Sequence, residues 1–158
     1  MKMEIKPLVE WADQLSVGIE EIDEQHKVLI KLINNLYEAI IKKTDLHTVD
    51  NILTELVEYT VVHFAVEESL MRIFDYAQYE EHKKHHQELA AQVMDIREKV
   101  KARKTAVSME LLNFLRSWLT NHIMIEDKHY TPCFLGKGVK SKWSKGGWTG
   151  KIWDFVKK

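Results

Sequence analysis

Apolar residues recur at alternating spacings of four and three along most of this chain, a rhythm typical of helices that bury one face. The rhythm predicts helices over residues 20–43, 48–74, 78–102 and 107–130. Glycine and proline are absent from residues 19–131, so the connections are short and neighbouring helices must run antiparallel. The sequence therefore predicts an all-α, up-down-up-down antiparallel four-helix bundle.

The bundle is flanked by two shorter parts. Residues 1–19 are predicted to form an N-terminal arm whose Trp11 packs on the bundle, residues 20–135 the bundle itself, and residues 136–158 a C-terminal extension. At 158 residues, the chain fits one domain with a substantial core.

Composition excludes several classes of protein. The first residues lack the apolar segment of a secretory signal, and no run of about 18 apolar residues could span a membrane. The single cysteine, Cys133, excludes an internal disulfide and is expected to follow the fourth helix as a small apolar residue. Together these features predict a cytoplasmic protein.

The C-terminal extension concentrates lysine and tryptophan. It carries seven lysines and one aspartate, whereas the rest of the chain has 16 basic and 23 acidic residues. Trp148, Trp153 and Phe155 with flanking lysines are typical of a segment that docks on an anionic membrane or an acidic protein. An extension that folds back on the bundle is an equal alternative, and nucleic acid is a less favoured partner.

Six polar residues occupy positions at which their helices otherwise place aliphatic side chains. They are His26, His63, Glu67, His82, His86 and His122. A single histidine on an apolar face is more often a hydrogen-bonded core residue than a ligand. Burying six such groups unpaired would cost on the order of several kcal/mol each, against a total stability of about 5–15 kcal/mol. Mutual hydrogen bonding could offset part of this cost, whereas a metal site would give every one of them a strong partner.

His85 competes with His86 for the ligand role, because His82 and His85 also have an acceptable spacing for one metal. Residues seven positions apart lie on the same face of a helix. His86 shares its face with Val93 and Val100, whereas His85 shares its face with polar residues. We therefore expect His86 to face the core and His85 to face solvent.

Helix direction brings these residues to one level, because the starts of odd helices and the ends of even helices share one end of an antiparallel bundle. Asp127 belongs to the same level. It follows His122 by five residues, however, which is about 140° around an ideal helix. Both side chains can face inward only on a broad face or where the helix widens locally into a π-type turn. Taken alone, an aspartate at this position is more often a solvated residue.

Five histidines and two carboxylates are too many ligands for one ion. If both carboxylates bridge two ions, three histidines can complete one ion and two histidines the other, which keeps an open position. Imidazole and carboxylate ligands suit iron.

These residues resemble the hemerythrin family, in particular its bacterial single-domain members. The matching segments are WADQLSVGIEEIDEQHK, HFAVEESLM, YEEHKKHH and WLTNHIMIEDKHY, and the resemblance covers roughly residues 8–135. It fills seven metal-ligand positions in order, namely His26, His63, Glu67, His82, His86, His122 and Asp127.

The resemblance implies two non-haem iron ions joined by an oxo or hydroxo bridge and by both carboxylates. It assigns His82, His86 and His122 to the six-coordinate iron, and His26 and His63 to the five-coordinate iron that binds dioxygen. The candidate walls of the dioxygen pocket are Ile22, Leu29, Trp118 and Ile125. The implied function is reversible dioxygen binding for carriage, storage or delivery, without catalytic residues.

Two other functions are alternatives. A diiron oxidase or peroxidase is less favoured, because ferritin-like sites use two Glu-x-x-His motifs and further glutamates. Here one such motif, Glu126-x-x-His129, is present, and the inward-facing set is rich in histidine. A sensor of dioxygen, nitric oxide or iron is the third class.

Overall fold

The computed structural model describes residues 4–102 and 108–138, apart from the side chains of residues 124–126. The predicted docking role of the C-terminal extension therefore concerns residues that lie almost entirely outside the described ones. The side chain of Ile125 also lies outside them. Within the described ranges, no helix is long and apolar enough to cross a membrane.

Four helical rods form the bundle, and the predicted all-α fold is confirmed. The first three rods are α1 (Glu20–Ile41), α2 (Leu46–Ile73) and α3 (Tyr79–Lys101). The fourth consists of α4 (Met109–Asn121), a π-helical segment (His122–Asp127) and α5 (Lys128–Gly136). Helix α1 packs against α2 and α4, and α2 packs against α3.

Tight turns reverse the chain between the first three rods. Lys43 follows α1 and Asp75 follows α2, and both adopt a left-handed backbone with φ angles of 52° and 53°. A left-handed residue ends a helix and turns the chain back. The next rod begins at once, because Oδ1 of Asp45 accepts a hydrogen bond from the backbone N–H of Thr48 at 2.9 Å and so caps α2.

The apolar stripes of the rods meet in two layers. On one side of the histidines lies an aliphatic core whose fully buried members include Ile33, Leu36, Leu53, Leu56, Val93, Leu112 and Leu115. On the other side lies an aromatic cluster of Phe74, Tyr76, Tyr130 and Phe134, in which the last two rings stack with centroids 4.5 Å apart. The histidine level therefore lies between two apolar layers.

The fourth rod departs from the continuous helix predicted over residues 107–130. Regular α-helix ends at Asn121, the backbone widens over His122–Asp127, and α5 then continues to Gly136. The spacing of apolar side chains shows which face of a helix is buried. A turn that contains about one extra residue hardly alters this spacing, so the apolar pattern does not reveal it.

The helix also passes through Pro132 instead of ending before it, so the expectation that Cys133 follows the helix was wrong. Cys133 lies inside α5, and its Sγ donates to the carbonyl of Phe74 at 3.6 Å. Proline removes one backbone donor from a helix. Burial of Tyr130 and Phe134, both 0% exposed on the same helix, offsets that loss.

The N-terminal arm lies along α1 and is held to it by Asn34. The backbone N–H of Val9 donates to Oδ1 of Asn34 at 2.9 Å, and Nδ2 of Asn34 donates to the carbonyl of Val9 at 2.8 Å. The Nζ of Lys27 lies 5.0 Å from the ring centroid of Trp11, so this indole packs on the bundle as expected. Gly18 then turns the chain into α1 with a φ of 82°, a conformation that glycine adopts without strain.

Substituting Asn34 by alanine should loosen the arm. Both hydrogen bonds to Val9 are lost, so the free energy of unfolding should fall by about 1–3 kcal/mol. Denaturant unfolding measures this change. Asn35→Ala, at the adjacent exposed position, is the control and should alter stability by less than about 0.5 kcal/mol. Equal stability of the two variants would show that this contact does not hold the arm.

Candidate metal centre

The structure brings the seven predicted ligand residues together inside the bundle. Helix α1 supplies one, α2 and α3 supply two each, and the π-helical segment begins and ends with the remaining two. Their exposed fractions range from 0 to 6% for His26, His63, Glu67, His82, His86, His122 and Asp127. They form one buried polar cluster in a mainly apolar interior.

The cluster divides into two overlapping groups of ligand atoms. The three-histidine position contains His82, His86 and His122, the two-histidine position contains His26 and His63, and both include Glu67 and Asp127. Within each group, one ligand atom of each residue lies within 4.8 Å of every other. Atoms that each lie about 2.0–2.2 Å from one ion satisfy this limit. The arrangement can therefore hold two adjacent ions that share both carboxylates.

Glu67 lies between the two positions. Its Oε1 is 2.9 Å from Nε2 of His63, which belongs to the two-histidine position. Its Oε2 is 3.1 Å from Nε2 of His86, which belongs to the three-histidine position. Each oxygen of this carboxylate therefore faces a different position, as the oxygens of a bridging ligand do.

Asp127 also lies between the positions, because the fourth rod widens. Its Oδ2 is 2.8 Å from Nε2 of His26 and 3.1 Å from Nε2 of His122, and its Oδ1 is 3.2 Å from Nε2 of His82. A π-helix makes hydrogen bonds between residues five apart, so residues separated by five face the same side. The π-helical segment thus turns His122 and Asp127 inward together.

Most of these short approaches are not hydrogen bonds. The atoms without a hydrogen-bond partner among the described residues include Nε2 of His26, His63, His82 and His86, Oε2 of Glu67 and both carboxylate oxygens of Asp127. Buried polar atoms rarely stay unpartnered in proteins. Nitrogen and oxygen atoms that crowd together without sharing a proton point at a common space, as donors around an ion do. The donor set fits a metal centre.

His85 and His86 separate as their phase predicted. His86 is 1% exposed and lies in the cluster, whereas His85 is exposed. The ring of Phe64 stacks on the ring of His86 with centroids 3.9 Å apart and 1° between the planes. This aromatic contact holds the imidazole with its Nε2 towards Glu67.

Neighbouring charges keep both carboxylates ionised in the metal-free cluster. Burial alone would raise the pKa of Glu67, but the surrounding imidazoles, His63 foremost, hold it well below its ordinary range. Burial and the charge of Glu67 would raise the pKa of Asp127, but contact with His122 outweighs them and lowers it. Burial lowers the pKa of His63. Burial would also lower the pKa of His26, but contact with Asp127 and Glu67 raises it.

Tyr130 contacts the cluster, although its role was not predicted from the sequence. Its hydroxyl donates to Oε1 of Glu67 at 3.0 Å, and the residue is fully buried. Burial, together with the charges of Glu67 and Asp127, raises the pKa of Tyr130 well above its ordinary value. The phenol therefore keeps its proton. Tyr130 follows Asp127 by three residues and so lies on the same side of the helix. This spacing could have indicated from the sequence that it contacts the cluster.

Gln25 is the second contact that was missed. Its Oε1 lies 2.7 Å from Nδ1 of His63, and it is 1% exposed. It stands three residues after Ile22 and four before Leu29, which is the spacing of the buried stripe. The phase argument that selected the histidines could have selected this glutamine as well.

Three of the four candidate pocket walls are buried members of the core, namely Ile22, Leu29 and Trp118. The ring of Trp118 lies 6.3 Å from that of Phe64, which in turn contacts the cluster. The side chain of the fourth, Ile125, lies outside the described residues. Since core packing accounts for these three positions equally well, the pocket role stays a prediction.

Comparison with known proteins supports the chemistry of the cluster. A family model described as the hemerythrin HHE cation binding domain matches residues 17–134. Bacteriohemerythrin of Pseudomonas aeruginosa is 38% identical over 141 residues, which cover 87% of this chain and 90% of the relative. Myohemerythrin of Theromyzon tessulatum is 32% identical over 130 residues, which cover 82% and 97%.

A solved structure shares the fold. The crystal structure of wild-type hemerythrin matches this chain with a TM-score of 0.75 and 30% identity, over 80% of this chain and 98% of the other. The matched span of the family model contains all seven residues of the cluster.

The buried carboxylates should make the stability of the metal-free protein depend on pH. The pKa of Glu67 is lower in the folded chain than its ordinary value of about 4, so its contribution is present above about pH 4. That contribution is lost as the pH falls through the folded pKa. Denaturant unfolding with chelator present, followed from about pH 5 down to about pH 3, should show a steeper loss of stability for the wild type than for Glu67→Gln.

The variant Glu58→Gln on the same helix is the control, because Glu58 is exposed and lies outside the cluster. It should keep the wild-type pH profile. Parallel profiles for Glu67→Gln and the wild type would contradict the electrostatic account of the cluster.

Proposed function

Since this chain belongs to the hemerythrin family, we propose that its buried cluster holds two non-haem iron ions and binds dioxygen reversibly. The observation that carries the proposal is the pair of overlapping ligand groups that share Glu67 and Asp127. Imidazole and carboxylate donors without thiolate suit iron. An ion with two histidines has fewer protein ligands than its neighbour, which leaves room for a small molecule.

The ligand roles follow from the grouping. Glu67 and Asp127 would bridge the ions. His82, His86 and His122 would complete the ion at the three-histidine position, and His26 and His63 the ion at the two-histidine position, where dioxygen would bind.

When bound, the iron pair supplies the two electrons that dioxygen accepts on binding and returns on release. The protein must keep water and protons away, because protons would divert the reaction towards irreversible reduction of dioxygen. The two apolar layers and the near-complete burial of the cluster exclude water. Tyr130 is a potential acid at this level, but its raised pKa and its hydrogen bond to Glu67 keep its proton in place.

A binding protein is favoured over a diiron oxidase by the donors that reach the cluster. Ferritin-like sites place a Glu-x-x-His motif on each of two helices facing inward. Here the histidine of the corresponding motif, His129, is exposed and takes no part in the cluster. Five imidazoles and two carboxylates remain, a set with less negative charge than a carboxylate-rich oxidase.

The purified protein should contain about two irons per chain and show near-ultraviolet and visible charge-transfer absorption. His86→Ala should lose iron and absorption, because it removes a buried imidazole from the three-histidine position. His85→Ala, one residue away and exposed, should keep both. Elemental analysis and absorption spectra measure the effect. One zinc per chain and no visible absorption in the wild type would contradict the diiron proposal.

Reversible binding should be distinguishable from turnover by mixing the reduced protein with dioxygen. The coloured adduct should persist after stopped-flow mixing and lose dioxygen under vacuum, since the cluster offers no ready proton. Fading of the colour together with release of hydrogen peroxide would instead indicate an oxidase. Repeated cycles of oxygenation and evacuation, followed by the visible spectrum, provide the control for slow oxidation.

A further inference from the structure

We propose that Gln25 is a positioning residue that fixes the ring of His63 and so sets the affinity of the two-histidine position. The inference rests on the proposed function, since it concerns the second of two metal ions. It deepens that proposal by assigning a specific role to a residue that binds no metal itself.

The contact between Gln25 and His63 joins two helices. Gln25 lies on α1, one residue before His26, and His63 lies on α2. The amide Oε1 lies 2.7 Å from Nδ1 of the imidazole, and both residues are buried. An amide oxygen can only accept a hydrogen bond, so Nδ1 must carry the proton. The other ring nitrogen, Nε2, is then left with a lone pair, and it lies 2.9 Å from the bridging carboxylate of Glu67.

A glutamine at this position has a cost that packing does not explain. It occupies the buried stripe of α1, where an aliphatic side chain would bury no polar atoms. The amide Nε2 of Gln25 has no hydrogen-bond partner among the described residues. A buried amide donor without a partner destabilises the folded chain. The hydrogen bond to His63 offsets this cost, because it fixes which ring nitrogen of His63 faces the metal position.

The three-histidine position has a different neighbour. Nδ1 of His86 lies 3.5 Å from Oε2 of Glu68, a carboxylate that is partly exposed. That atom of His86 makes no hydrogen bond to the described residues, and its ring is held instead by stacking on Phe64. Removing the amide of Gln25 should therefore weaken the two-histidine position and leave the three-histidine position unchanged.

The test is a cobalt(II) titration of the full-length metal-free protein, followed by the visible absorption of the bound ion. The wild type should bind two equivalents in two steps, the first at the three-histidine position because that position has more ligands. Gln25→Leu, which removes the acceptor at similar volume, should leave the first step unchanged and weaken the second about 10-fold. Gln25→Glu, which keeps an acceptor oxygen, should bring the second step back towards the wild-type affinity.

Gln87→Leu is the matched control. Gln87 follows His86 in sequence as closely as Gln25 precedes His26, but it is exposed. Both binding steps of this variant should equal those of the wild type. If Gln25→Leu fails to fold, which circular dichroism will show, Gln25→Met has nearly the same shape and flexibility as glutamine and carries the same test.

The outcomes separate the two proposals. A wild type that binds one equivalent contradicts the dinuclear site itself. A wild type that binds two equivalents, together with a Gln25→Leu variant of the same affinity in both steps, overturns the role of Gln25 and leaves the dinuclear site standing. Equal weakening of both steps also overturns it, because the effect would then be a general loss of structure.

Discussion

Seven polar side chains are buried at one level of a four-helix bundle, and the surrounding structure must offset the loss of their hydration. Burying each such group without a partner would cost on the order of several kcal/mol, against a total stability of about 5–15 kcal/mol. Attraction between imidazole and carboxylate offsets part of the cost, as the lowered pKa of Glu67 shows. Several donor atoms nevertheless have no hydrogen-bond partner among the described residues, and a metal would supply that partner.

The same cluster constrains the backbone. Regular helices place ligands four residues apart on one face, which suffices for His63 and Glu67 on α2 and for His82 and His86 on α3. The fourth rod carries ligands five residues apart, and it satisfies both by widening into a π-helical segment. The π-helical turn therefore lies where His122 and Asp127 both face inward.

The residues around the cluster differ between its two metal positions. On the two-histidine side, the partners are neutral: the amide of Gln25 accepts from His63, and the phenol of Tyr130 donates to Oε1 of Glu67. On the other side, a carboxylate, that of Glu68, lies near His86. Neutral partners add no negative charge to a site that already holds two carboxylates. This difference sets the two positions apart even though both include Glu67 and Asp127.

The amino-acid sequence by itself determined which face of each helix is buried and the level at which the histidines and Glu67 lie. Phase separated His86 from His85, and helix direction brought His26, His122 and Asp127 to the same end, because burial repeats with the turn of the helix and short connections force antiparallel neighbours. The tertiary structure decided the rest. Contacts such as Gln25 with His63 and Tyr130 with Glu67 join residues 38 and 63 positions apart. Periodicity cannot report such pairs, because it describes one helix at a time, whereas distances between helices depend on how all four pack. The spacing of His122 and Asp127 allowed either a broad face or a π-type turn, and the packed structure selected the turn.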